Sequence, residues 1–167
     1  MANEYILKGD VQTVKKDRMR FTKNKLSSTF CYLAILFNVL YFVEIYTTDI
    51  GNYYYTMHIG FSIVYNLLFL LFTFLCSEGV KNYSSGYSIF LIIIGAMQLV
   101  RIVDIPMKAH AYQFSLDGKL TYAMDDNQFM LVIGYLVVSA AFCIAAGIIG
   151  IVKHIKLENY KAETGLS

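Results

Sequence analysis

The chain has no tryptophan, one proline, three cysteines and three histidines, and only 16% of its residues are charged. Each scarcity excludes something. Without tryptophan, any aromatic belt at a membrane–water boundary has to be built from tyrosine, of which there are 14. Cys31, Cys76 and Cys143 all lie inside apolar runs and form no C-x-x-C pair. That excludes a loop-borne disulfide framework and a dithiol redox motif, and leaves them as small buried hydrophobes. His58, His110 and His154 fall at different depths of the expected helices. They cannot act as facing axial ligands for haem, and no clustered Cys/His set exists for zinc. No metal and no cofactor is expected. A nucleophile–base motif and a phosphate-binding glycine loop are also missing, so the protein is not expected to be an enzyme.

What is abundant is apolar. Hydrophobic residues make up 57% of the chain and the mean hydropathy is +0.51, values of an integral membrane protein rather than a soluble domain. Runs of about 20 apolar residues, enough to cross a bilayer, occur four times. They predict helices over about 27–46, 56–76, 87–105 and 128–152. The expected fold class is an all-α membrane protein, a four-helix transmembrane bundle over 27–152. A basic segment, 1–26, precedes it and a tail, 153–167, follows. The first apolar run sits behind a long basic lead and has no small-residue cleavage site, so it reads as a retained helix rather than a signal peptide.

Local signals place the joints. SEGVKNYSSGY (77–87) reads as a short polar turn. Pro106, the single proline, is expected to end the third helix. In the loop 106–127, Asp117-Gly118 separates two β-favouring stretches and predicts a β-hairpin between helices 3 and 4. Asp125, Asp126 and Asn127 are suited to cap the fourth helix. The segments expected on one side of the membrane (1–26, the 77–86 turn, the tail) hold eleven Lys and Arg; the other two connections hold only Lys108 and Lys119. This asymmetry predicts both termini in the cytoplasm, the hairpin outside, and a multi-pass protein of the cell membrane. The basic lead is read as a topology signal with affinity for anionic lipid, and not as a nucleic-acid site.

Few polar residues interrupt the helices. At 1.5 Å per residue, Asn38, Asn66 and Gln98 all fall about 15–18 Å from the interface where their helices start, which predicts a polar layer near the bilayer centre. Glu44, His58, Arg101 and Asp104 are expected nearer the outer face as a buried polar or ion-pair cluster. A carboxylate of Glu44 or Asp104 would be the natural partner of Arg101. One reading is an ion pair that fastens helices; the other is an outer vestibule for an ion or anionic solute. On helix 4, Ala141/Ala145 and Ala146/Gly150 are small residues four apart, the spacing of close helix packing in lipid, within the bundle or at a dimer seam.

The motifs YFVEIY (41–46), SEGVKNY (77–83) and RIVDIP (101–106) resemble uncharacterised four-helix membrane proteins of low-GC Gram-positive bacteria, and the Lys/Asn/Ile/Tyr-rich usage fits such a source. The resemblance implies a bacterial inner-membrane protein and carries no activity, substrate or site. The expected function is a non-catalytic accessory or scaffolding subunit of a larger membrane assembly such as a transporter. Its partners would be the lipid bilayer and another membrane protein or a second copy. The alternative is a homo-oligomeric carrier or channel for a small ion or solute.

Overall fold

The computed structural model describes residues 13–14, 22–47, 56–111, 113–116, 119–122 and 124–164, with backbone alone for 56–59, 113–116 and 119–122. Most of the basic lead, the tyrosines at 53–55, the Asp117-Gly118 dipeptide and the side chain of His58 lie outside the described residues. Four helices are long and apolar enough to cross a membrane: α1 (Lys25–Thr47), α2 (Thr56–Lys81), α3 (Ser85–Ala111) and α4 (Asp126–Thr164). They are the mark of a multi-pass membrane protein. Between α3 and α4 two short strands, β1 (Gln113–Leu116) and β2 (Lys119–Tyr122), pair antiparallel, from Gln113 opposite Tyr122 to Leu116 opposite Lys119.

The caps follow from side-chain chemistry. Asn24 accepts the Ser27 N–H at 3.4 Å and so caps α1. Gln128 accepts the Asp125 N–H at 3.4 Å, half of a capping box at the start of α4. The α2–α3 turn is tighter than the expected 77–87 segment, because Ser77 to Lys81 remain helical. Tyr83 ends α2 in the left-handed region (φ 58°), and the Ser84 N–H reaches back to the Gly79 carbonyl at 3.4 Å, a Schellman closure.

Two further helix ends differ from expectation. α3 does not stop at Pro106 but runs on to Ala111. A proline costs a helix one hydrogen bond, yet in membrane helices tertiary packing makes up the loss. Here Pro106 is buried, Ala109 packs in the core beyond it, and Asp104 and Lys108 (2.7 Å, one turn apart) bridge the proline on the exposed side. α4 continues past 152 to Thr164, about 58 Å at 1.5 Å per residue, so most of the expected tail is a helical extension. Lys153 donates to Asn24 Oδ1 at 2.7 Å, and His154 Nδ1 lies 2.7 Å from the Tyr83 carbonyl. These bonds tie the extension to the α1 cap and the α2–α3 turn.

The helices pack in ring order, α4 most extensively against α3 and α1, and α2 more lightly against α1 and α3. α2 shows its membrane face plainly: Val64, Leu67, Leu71, Phe74 and Leu75 are exposed while Asn66, Phe69, Thr73 and Cys76 are buried. Such a continuous apolar surface suits lipid rather than water. The three cysteines are free and buried. Buried hydroxyls on α2 are satisfied within their own helix, Thr73 on the Phe69 carbonyl (2.9 Å) and Ser77 on Phe74 (2.8 Å).

The α3–α4 seam depends on small residues. A Cβ at Gly147 would stand 2.6 Å from the Ser88 carbonyl oxygen and 2.6 Å from Ile92 Cγ1. Ala146 and Gly150 are buried in the bundle, whereas Ala141 is exposed and Ala145 half-buried. Of the two small pairs, only Ala146/Gly150 serves internal packing. Gly147→Ala is expected to destabilise the protein by about 1–3 kcal/mol, read as a lower unfolding temperature in mild detergent. Gly134→Ala, where an added Cβ meets nothing within 4 Å, should be neutral or stabilise by up to about 1 kcal/mol.

Candidate functional site

The bundle core is two apolar clusters with a polar layer between them. One cluster, towards the α2–α3 turn, draws on all four helices: Cys31 and Ala34, Phe69, Cys76 and Val80, Leu91 and Ile94, Cys143 and Ala146. The other, towards the β-hairpin, comprises Tyr41, Ile45, Ala109, Met124, Val132 and Leu136, and no described α2 residue belongs to it. Asn38, Asn66, Gln98, Arg101 and Ser139 lie between the clusters, all buried.

These side chains form a directed relay across the four helices. Arg101 is the source: it donates to Gln98 Oε1 at 2.7 Å and to Asn66 Oδ1. The Gln98 amide donates to Ser139 Oγ at 3.3 Å, and Ser139 donates to the Ala34 carbonyl at 2.9 Å. Towards α2, the Asn66 amide donates to the Ser62 carbonyl at 3.0 Å. Arg101 is only 6% exposed. Three rings surround it, with their centroids at 4.8 Å (Tyr41), 5.0 Å (Tyr65) and 5.7 Å (Phe69). Each desolvated cation–π contact is worth roughly 1–2 kcal/mol.

Arg101 has no carboxylate partner among the described residues; its hydrogen bonds go to neutral amides. The ion pair with Glu44 or Asp104 is therefore absent from this fold. Asp104 is exposed and bonds Lys108; Glu44 is half-buried at the hairpin end of α1. The reason is helical phase. At about 100° per residue, two steps of three residues from Gln98 carry Asp104 about 120° off the inner face. The two groups read separately from the sequence thus exchange members: Arg101 joins Asn66 and Gln98, and Asp104 leaves. Asn38 shares their depth, but both atoms of its amide are without a partner among the described residues.

Sequence reasoning missed Ser139, which closes the relay, and the rings of Tyr41, Tyr65 and Phe69. Tyr65 lies near the middle of its apolar run rather than near an end, and that position was the available signal for it; Tyr41 lies no deeper than Tyr32 or Tyr135 and carried none. Among the described residues, no group of three or more His, Cys, Asp or Glu side chains is placed to hold a metal ion. Towards the hairpin, His110 stacks on Phe129 at 4.2 Å and lies 3.6 Å from Asp126, joining the end of α3 to the start of α4. Comparison with protein-family models, curated proteins and solved structures yields no match.

Asn66→Leu, which removes an acceptor from Arg101, is expected to cost about 1–3 kcal/mol of stability. Glu44→Gln and Asp104→Asn lie outside the relay and are expected to stay within about 0.5 kcal/mol. Thermal unfolding of the purified variants in mild detergent measures all three. A large loss in either carboxylate variant with none in Asn66→Leu would restore the ion-pair account.

Proposed function

We propose that the protein is a non-catalytic membrane subunit, spanning the bilayer with both termini in the cytoplasm and the β-hairpin outside, and working with a larger membrane protein rather than as an independent conduit. The observation that carries this reading is the apolar cluster on the α2–α3 turn side of the polar layer, to which all four helices contribute. A solute crossing the bundle would have to pass it, and moving a charge through such a region costs at least several kcal/mol. The polar layer is then a dead end on the cytoplasmic side. Such an arrangement suits anchoring or sensing better than conduction.

Partner contact has a natural place on α4. Gly134 and Ala141, about two turns apart, lie on its exposed edge, and nothing fills the space beside Gly134. Small residues there let a second membrane helix approach closely. The orientation rests on the count of basic residues, eleven on one side against two on the other.

Two measurements test the reading. The native cysteines are buried, so a cysteine introduced at Ser115 or Thr164 can be probed with a membrane-impermeant maleimide. Ser115→Cys should label in intact cells and Thr164→Cys only after lysis; the reverse pattern overturns the orientation. Gentle extraction of the full chain should yield a stoichiometric complex with a larger membrane protein, and Ala141→Leu should weaken that complex. A monomer or pure homo-oligomer would overturn the accessory role and favour a carrier acting by itself.

A further inference from the structure

Four buried polar groups of α1 have no hydrogen-bond partner among the described residues: the Ser28 hydroxyl near the α2–α3 turn and, towards the hairpin, the Asn38 amide, at both atoms, and the hydroxyls of Tyr41 and Tyr46. Asn38 and Tyr41 are both 0% exposed. Their position relative to the polar layer is bracketed by two contacts. Ala34, one turn before Asn38, accepts the Ser139 hydroxyl at 2.9 Å. Tyr41, one turn after, holds its ring centroid 4.8 Å from Arg101 Cζ. Asn38 therefore faces the layer between these two points, and Tyr46 lies nearer the hairpin end of α1, partly buried against the cluster that holds Tyr41.

An unpaired buried donor or acceptor is costly, and an apolar residue at 38 would avoid that cost. Arg101 adds a second imbalance, since it keeps its charge in this site and bonds only neutral amides. The two imbalances are complementary. A cation without an anion stands beside donors without an acceptor.

We propose that Asn38, Tyr41 and Arg101 bind the carboxylate of a small monoanionic ligand that enters from the hairpin end past Tyr46. A single negative charge neutralises the guanidinium, whereas a dianion would leave a net charge buried. A guanidinium has further N–H groups beyond the two used here, and its planar fork matches a carboxylate. The Asn38 Nδ2 and Tyr41 hydroxyl supply the remaining donors. Entry is placed at the hairpin end, where Tyr46 packs against the same cluster as Tyr41. The other half is closed by all four helices. The ligand has two possible sources with the same chemistry: a water-soluble short-chain acid, or a longer acid delivered by the bilayer.

The test is thermal unfolding of the full chain in mild detergent with sodium acetate, octanoate, chloride or sulfate at matched ionic strength. At least one carboxylate should raise the melting temperature saturably, while chloride and sulfate should not. A preference for acetate indicates a soluble ligand, and a preference for octanoate a lipid-phase one. Asn38→Leu should raise the ligand-free melting temperature and abolish the carboxylate response. Tyr41→Phe, which keeps the ring on Arg101, should leave the ligand-free melting temperature close to that of the parent. It should weaken the apparent affinity about tenfold, the loss of one hydrogen bond to a charged group. The proposal is overturned if no carboxylate stabilises the protein, if chloride or sulfate does so equally, or if the response survives Asn38→Leu. A fall in the ligand-free melting temperature of Asn38→Leu would also overturn it, because the amide would then be needed by the fold itself.

Discussion

A guanidinium held inside a membrane bundle without a carboxylate sets the terms for everything around it. Arg101 cannot shed its proton, and moving it out of water costs several kcal/mol even after the protein relaxes. The protein offsets that with two amide oxygens and three aromatic faces. Those groups come from α1 (Tyr41), α2 (Asn66, Tyr65, Phe69) and α3 (Gln98), and all must stand at one depth. Apolar packing alone fixes helix register poorly in lipid, because the tails are as apolar as the side chains. Arg101 and its relay therefore set the register, and the close approach of α3 and α4 at Gly147 can then follow. Change the depth of α1 or α2 relative to α3 and the guanidinium loses a partner that nothing else replaces.

Much of this was legible in the sequence, and the limits have physical causes. Apolar runs long enough to cross a bilayer gave the number and order of the helices, and a rise of 1.5 Å per residue placed Asn38, Asn66 and Gln98 at one level. Helix ends were legible less well. Ser77 to Lys81 and Lys153 to Thr164 are helical although polar, because a helix ends where backbone turns it and not where it leaves the lipid. Pro106 misled for a related reason. Its lost hydrogen bond is a local cost, while the burial of Ala109 beyond it is a gain that only the assembled bundle provides.

The partner of Arg101 was the least legible feature. Charge complementarity points to Glu44 and Asp104, and on sequence spacing alone Gln98, Arg101 and Asp104 look like one ridge. A ridge with a step of three residues drifts about 60° per step, so Asp104 ends up exposed beside Lys108. Which of two residues on a drifting ridge faces inward depends on how the helix is rotated in the bundle. Here the buried series Leu91, Ile94, Gln98, Arg101 fixes that rotation, and a series of this kind is visible only once the neighbours are in place.

The two halves of the core differ in a way that bears on what the bundle does. The half beside the α2–α3 turn is built from cysteine, alanine, aliphatic residues and Phe69, drawn from all four helices, and its buried hydroxyls on α2 are bonded within that helix. It has little reason to open. The half beside the hairpin keeps polar groups without a partner among the described residues at Asn38, Tyr41 and Tyr46, and the other half keeps such groups at Asn24 and Ser28. Stability alone would favour leucine at position 38, as it does a few residues earlier on α1 at Leu33. The hairpin-side groups stand beside Arg101, the one buried charge among the described residues, and the capacity for recognition lies there.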